Sequence, residues 1–235
     1  MEITYSNKQY AVFDNVLPDR EFGFVWEFVQ SEGYKSVHQL KWQKVFRLCD
    51  GNPFEGTTVF STQPPDIDPA RIKVFPTNTG MDFLVAVIQQ NAVRFTEWVG
   101  EYKKDWEAFT AKAYLYPRGS ALSWHYDQAG RTGSYTFYAN PQWNVQWGGE
   151  LLIAAESMVP ILSEADKQKS ASALDNSFEN EKLLELGLGH YVFPKRNRLV
   201  IVAGGNLHRI NPGRAGDDQA RCSISGFFLQ KAVKS

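Results

Sequence analysis

Cysteine is scarce in this 235-residue chain: Cys49 and Cys222 are the two, far apart and in no metal-like spacing. That excludes a disulfide framework and points to a reducing compartment. Net charge is also nearly absent, at −1. No broad field is therefore available to draw in nucleic acid or an anionic membrane, and neither is expected as a partner. Long apolar runs are missing, which argues against a membrane-spanning helix. The opening residues Met1-Glu2-Ile3-Thr4-Tyr5 show neither a basic nor an apolar signal region, so no secretory signal is expected. Together these absences predict a soluble, cytoplasmic protein. What remains, 43% hydrophobic and 22% charged residues, is the make-up of an ordinary globule with one core.

The first part of the chain mixes short strands with helices. Residues 1–15 read as a short strand and a connection. Asp19 reads as an N-cap, and Phe22, Val25, Trp26 and Val29 follow at helical spacing toward a close at Gly33. Val45–Leu48 and Thr57–Phe60 are expected as strands around the turn Asp50-Gly51-Asn52-Pro53. Gln63-Pro64-Pro65-Asp66 with Pro69 is expected as a loop, and His38 as a surface or packing residue. Met81 to about Val99 carries the longest helical pattern, bracing the outside of a sheet. After Trp106 the pattern changes to period-2 strands, as in an all-β barrel or jelly roll. A polar stretch at about 156–190 interrupts them, readable as a loop, a short helix or a lid.

Ser123-Trp124-His125-Tyr126-Asp127 is the centre of the functional reading. On a strand or its exit, His125 and Asp127 project to one side and can take neighbouring positions on a metal ion. His208, after the strand run Arg198–Ala203, is the best third ligand. Two histidines and a carboxylate on one face of an ion suit a non-haem Fe(II) oxygenase. His190 is a rival ligand, but it lacks that strand context. In the last strand, alternation puts Arg221, Ser223 and Ser225 on one face. An inward arginine with two hydroxyls calls for a carboxylate-bearing ligand. Arg214, in the glycine-rich turn 211–218, is the rival anchor.

The ordered set Tyr116-Pro117-x-Gly119, His125-x-Asp127, Arg131, Phe137-Tyr138-Ala139-Asn140, Trp143, Gly148-Gly149-Glu150-Leu151, His208 and Arg221-x-Ser223 resembles the prolyl-4-hydroxylase-type branch of the Fe(II)/2-oxoglutarate-dependent dioxygenases. The resemblance covers roughly residues 109–229, about half of the chain. It departs in one place, a longer interval between His208 and Arg221. It implies a mainly β fold with flanking helices, a double-stranded β-helix or distorted, cupin-like jelly roll. A single domain over 1–235 would then hold supporting elements at 1–108 and the catalytic core at 109–229. It further implies Fe(II) on His125, Asp127 and His208, with Arg221 on the distal carboxylate of 2-oxoglutarate. Tyr138, Tyr116 and Ser223 would touch the same cosubstrate. O₂ would be the oxidant, with ascorbate as an optional reductant.

The implied activity is hydroxylation of an unactivated C–H bond. Asp127 fills the position that related halogenases leave to chloride, which favours hydroxylation. The substrate is expected to be a small metabolite, such as a free or carrier-bound amino acid, because charge is near neutral and no peptide-binding or repeat module is visible. The alternatives are a prolyl or other residue in a peptide or protein, or a non-catalytic jelly-roll binding protein. Substrate choice is expected to lie in the first half, outside the resemblance. Trp124, Trp143 and Trp147 are expected to pack, with an apolar pocket lining as the alternative.

Overall fold

The computed structural model describes residues 1–39, 45–64, 67–68, 70, 72–155, 183–185, 187–216 and 218–231. The expected lid, helix or loop at about 156–190 lies, up to residue 182, outside the described residues, as do parts of the 63–69 loop and of the 211–218 turn. The strands are β1 (Glu2–Ser6), β2 (Tyr10–Asp14), β3 (Lys35–Ser36), β4 (Phe54–Glu55), β5 (Val59–Phe60), β6 (Lys73–Val74) and β7 (Trp106–Pro117). They continue as β8 (Leu122–His125), β9 (Arg131–Tyr138), β10 (Leu151–Ala154), β11 (Gly189–Val192), β12 (Arg198–Ala203), β13 (His208–Ile210) and β14 (Ala220–Gln230). Among the described residues, the helices α1 (Asp19–Ser31), α2 (Met81–Gln90) and α3 (Thr96–Val99) join them.

Strand alternation builds the layers. The larger sheet runs β1-β2-β12-β9-β14-β7-β4-β3, with β5 and β6 continuing from β7. Along it, Phe13, Phe137, Leu199 and Ile201 point to one side, where Phe22, Val25, Leu84 and Ile88 of α1 and α2 cover them. The alternate residues Val12, Tyr138, Val200 and Val202 point the other way. There they meet Leu151, Ile153 and Val192 from the smaller sheet, β11-β10-β13-β8. This period-2 division puts helices outside one sheet and a second sheet across the interior. The fold is the expected distorted jelly roll. No helix among the described residues is long and apolar enough to cross a membrane.

Several local expectations change. Residues 2–14 form a hairpin of two strands rather than one. Pro18, not Asp19, is the N-cap of α1; Asp19 opens the first turn, where its negative charge suits the helix dipole. The helix closes at Glu32, in extended conformation, so Gly33 is not its cap. Val45–Leu48 forms no strand. Phe46 leads into a 3₁₀ turn over Leu48–Asp50, because the Asp50 carboxylate accepts the Arg47 amide at 2.7 Å and tightens the chain. The pattern from Met81 to Val99 divides into α2, a 3₁₀ turn over Ala92–Phe95, and α3. Asn91 leaves the helical region at φ −105° while its amide nitrogen Nδ2 donates to the Val87 carbonyl at 2.8 Å. His38 lies edge-on to Phe46, a packing role as expected.

One ion-pair cluster ties the hairpin to the sheet. Asp14, 3% exposed, accepts Arg198 Nε and Nη2 at 2.7 and 3.0 Å and Lys195 Nζ at 2.7 Å. Burial alone would raise its pKa, but these two cations outweigh it and hold the carboxyl below its ordinary value. Its stabilisation is therefore present above the unfolded pKa and is lost as pH falls through the folded one. Asp14→Ala is expected to cost about 3–5 kcal/mol in urea unfolding at pH 7. The gap to wild type should close as pH falls below about 4. A gap that stays constant down to low pH would contradict the assignment.

Candidate metal centre

His125 ends β8 and His208 begins β13, and the two are direct partners across the antiparallel pair. Direct partners share a face, so the imidazoles lie side by side, with ring centroids 4.4 Å apart. Asp127 follows two residues after His125, and its Oδ1 lies 3.9 Å from the Nε2 of each histidine. The three donor atoms are all within 4.8 Å of one another and could hold one metal ion.

Hydrogen bonds set the direction of both rings. His125 Nδ1 is 2.9 Å from the Ser123 carbonyl, and His208 Nδ1 is 2.9 Å from the Asn206 carbonyl. A carbonyl only accepts, so each Nδ1 carries the proton and each Nε2 keeps its lone pair. Burial and then the neighbouring His208 push the pKa of His125 down to about 4, against the opposing pull of Asp127. His125 is thus neutral at pH 7, the state that metal binding requires.

Across the interior, Arg221 at the start of β14 is fully buried. Its Nε donates to the Gly149 carbonyl at 2.8 Å and its Nη1 to Ser223 Oγ at 3.0 Å. Among the described residues, Nη2 has no hydrogen-bond partner, and neither has the buried hydroxyl of Tyr138. The guanidinium lies 4.9 Å from the Tyr138 ring centroid and 5.2 Å from that of Tyr116. Register explains the grouping: Arg221 pairs with Tyr116 on β7, and Ser223 pairs with Tyr138 on β9. Burial raises the pKa of both phenols despite the nearby cation, so both keep their protons and can donate. A buried cation with the two unpaired N–H groups of Nη2 beside an unpaired O–H is costly without an anion, and a carboxylate fits the set.

Gly149, in the Gly148-Gly149-Glu150-Leu151 motif, shows why glycine stands there. Its φ of +76° and a Cβ that would stand 2.9 Å from Arg221 Cδ show what approaches: the arginine stem. His190 sits on β11, separated from β13 by β10, against Tyr10. Arg214 is exposed. Trp143 and Trp147 stack edge to face at 5.2 Å, and Trp124 lies near Arg209. Arg131, named in the motif without a role, lies 3.4 Å from the Phe227 ring centroid and donates to Gln128 Oε1 at 3.3 Å.

Comparison with known proteins gives the family and the fold. Residues 111–229, just over half of the chain, match the family model of the 2OG-Fe(II) oxygenase superfamily. A Pseudomonas putida prolyl-4-hydroxylase superposes with TM-score 0.59 at 16% identity, covering 94% of this chain and 92% of its own. A prolyl hydroxylase from Trichoplax adhaerens, solved with a hypoxia inducible factor oxygen degradation domain peptide fragment, gives 0.61 at 16%, covering 95% and 84%. A 2OG-Fe(II) oxygenase family oxidoreductase from Burkholderia pseudomallei gives 0.54 at 9%, covering 94% and 85%. No curated protein matches the sequence.

The geometry predicts one divalent ion per chain. Co(II), titrated calorimetrically into metal-free protein, is expected to bind once, and His208→Ala should lose that binding while keeping the fold by circular dichroism. Undiminished binding in the variant would remove His208 from the site.

Proposed function

The chain belongs to the 2OG-Fe(II) oxygenase superfamily, and from that premise we propose that it hydroxylates an unactivated C–H bond of a small metabolite, such as a free or carrier-bound amino acid. The family uses Fe(II), 2-oxoglutarate and O₂. The observation that carries the site reading is the His125, Asp127 and His208 cluster combined with the unpaired Arg221 Nη2 and Tyr138 hydroxyl.

In this reading His125 and His208 give Nε2 and Asp127 gives a carboxylate oxygen to Fe(II). Arg221 takes the distal carboxylate of 2-oxoglutarate through Nη2, and Tyr138 donates its hydroxyl to the same group. Ser223 and Gly149 hold the guanidinium still, and the Tyr116 ring flanks it. When bound, iron and cosubstrate supply the oxidising chemistry: a C–H bond, O₂ and 2-oxoglutarate become a C–OH group, succinate and CO₂. The protein contributes fixed donors and an interior that excludes water. Asp127 also fills the position a halide would need, which favours hydroxylation.

For the substrate, Arg131 supports a small anionic molecule. Burial lowers its pKa, the neighbouring Asp127 only partly opposes this, and no carboxylate pairs with it among the described residues. It can take the carboxylate of an amino acid brought to the metal. The second reading is a prolyl residue in a peptide, favoured by the likeness to a prolyl hydroxylase solved with a peptide fragment. We place the reaction in the cytoplasm, in keeping with the two free cysteines.

The test is an anaerobic titration of metal-free protein with Fe(II) and 2-oxoglutarate, read by the weak visible band of the chelate. Wild type should show the band, and Arg221→Ala should need about 30- to 1000-fold more 2-oxoglutarate, the scale of losing about 2–4 kcal/mol at a buried charge contact. No band would leave a non-catalytic binding protein. Succinate release with free amino acids, abolished by Arg131→Ala, supports the small-metabolite reading. Release only with proline-containing peptides favours the second.

A further inference from the structure

We infer that Asp50 and Gln9 are positioning residues for the two metal histidines, each holding the residue whose carbonyl fixes one imidazole. The inference rests on the reading of His125 and His208 as metal ligands. Both histidines are built alike: each donates Nδ1–H to the carbonyl of the residue two places before it. That residue is Ser123 for one and Asn206 for the other. Both are buried, and each is gripped through its side chain by a buried polar group from the first 50 residues.

Asp50 is 2% exposed. Its Oδ1 accepts the Ser123 hydroxyl at 2.7 Å, and its Oδ2 accepts the Ser123 amide at 3.1 Å and the Arg47 amide at 2.7 Å. One carboxylate thus holds both donors of Ser123 and fixes the plane from which its carbonyl meets His125. The Asp50 carbonyl also accepts the Ala121 amide at 2.8 Å. Gly51, at φ +71°, lets the two turns close, since a Cβ there would stand 3.0 Å from the Gly119 carbonyl oxygen.

Gln9 is 4% exposed. Its Nε2 spends both hydrogens, on Asn206 Oδ1 and on the Ala154 carbonyl, each at 2.8 Å. Asn206 Nδ2 in turn donates to the Ala203 carbonyl at 2.8 Å. With its side chain held at both ends, Asn206 presents its carbonyl to His208. Groups that orient a ligand in this way typically change metal affinity by about 10- to 100-fold when lost.

Merely structural residues would lower stability and leave the metal site alone, so the test compares the two. Co(II) is titrated into the metal-free full chain, following affinity by calorimetry and ligand geometry by the visible spectrum, for Asp50→Asn and Gln9→Met. Asp14→Asn, a buried carboxylate on the opposite edge of the hairpin, serves as the control for destabilisation. We expect Co(II) affinity to fall about 10- to 100-fold with an altered visible spectrum in the first two variants. The control should stay within about twofold of wild type. If Asp50→Asn does not fold, Ser123→Ala removes the hydroxyl bond alone and should shift affinity and spectrum in the same direction. Wild-type affinity and spectrum in the folded variants, with only the melting temperature lowered, overturn the positioning roles. A wild-type protein that binds no Co(II) overturns the metal reading itself, a different result.

Discussion

A fully buried guanidinium with no carboxylate partner among the described residues organises this molecule. Arg221 is the second residue of β14, the strand that lies between β9 and β7 at the centre of the larger sheet; its backbone pairs with Tyr116 of β7, and the ladder to β9 begins two residues on at Ser223. The side chain enters the interior because its alternate neighbours, Cys222 and Ile224, belong to the helix-facing core. Burying such a charge is costly, and the fold offsets that only in part, with one carbonyl, one hydroxyl and two aromatic faces. Both N–H groups of Nη2 are left without a partner among the described residues. Gly149 is glycine for the same reason, since the arginine stem occupies the space of a Cβ.

Metal donors and arginine belong to different sheets. β8 and β13 of the smaller sheet carry His125 and His208, while β14 of the larger carries Arg221. The interior cluster of Tyr138, Val200 and Val202 against Leu151, Ile153 and Val192 sets the spacing between the sheets. Packed interiors resist compression, so this apolar contact, with the Arg221–Gly149 and Gln9–Ala154 hydrogen bonds beside it, holds the two halves of the site at a defined separation. A molecule carrying a chelating end and a carboxylate end would touch both sheets at once and stabilise the sandwich by mass action, growing with the logarithm of its free concentration above its Kd.

The parts legible in sequence were those encoded at short range. His125-x-Asp127 and Arg221-x-Ser223 each lie within three residues, and strand alternation alone decides which side they face. The layer division was legible for the same reason, as period-2 runs in β7, β12 and β14. Helix ends were less so: an aspartate at position 19 suits an N-cap, yet Pro18 holds that place and Asp19 pairs with Arg196 instead. Asn91 divides a continuous apolar pattern by a side-chain bond that periodicity does not register. Val45–Leu48 has strand composition, but the Asp50 carboxylate draws the chain into a tight turn.

Least legible were the long-range polar contacts. Asp50 reads as a turn residue, and a turn does contain it. Its carboxylate nevertheless reaches Ser123, 73 residues on, and Gln9 reaches Asn206 across 197 residues. Such bonds leave no periodicity, because a single buried polar residue needs only one partner brought near by the whole topology. The first half of the chain, which carries no part of the family motif, thereby has a function beyond covering a sheet. It supplies buried polar groups that complete hydrogen bonds the jelly roll leaves open, and those bonds hold Ser123 and Asn206, whose carbonyls meet His125 and His208. A scaffold of this kind can vary its surface and loops while the few side chains facing Ser123 and Asn206 stay constrained, since a wrong group there leaves a buried donor or acceptor unpaired.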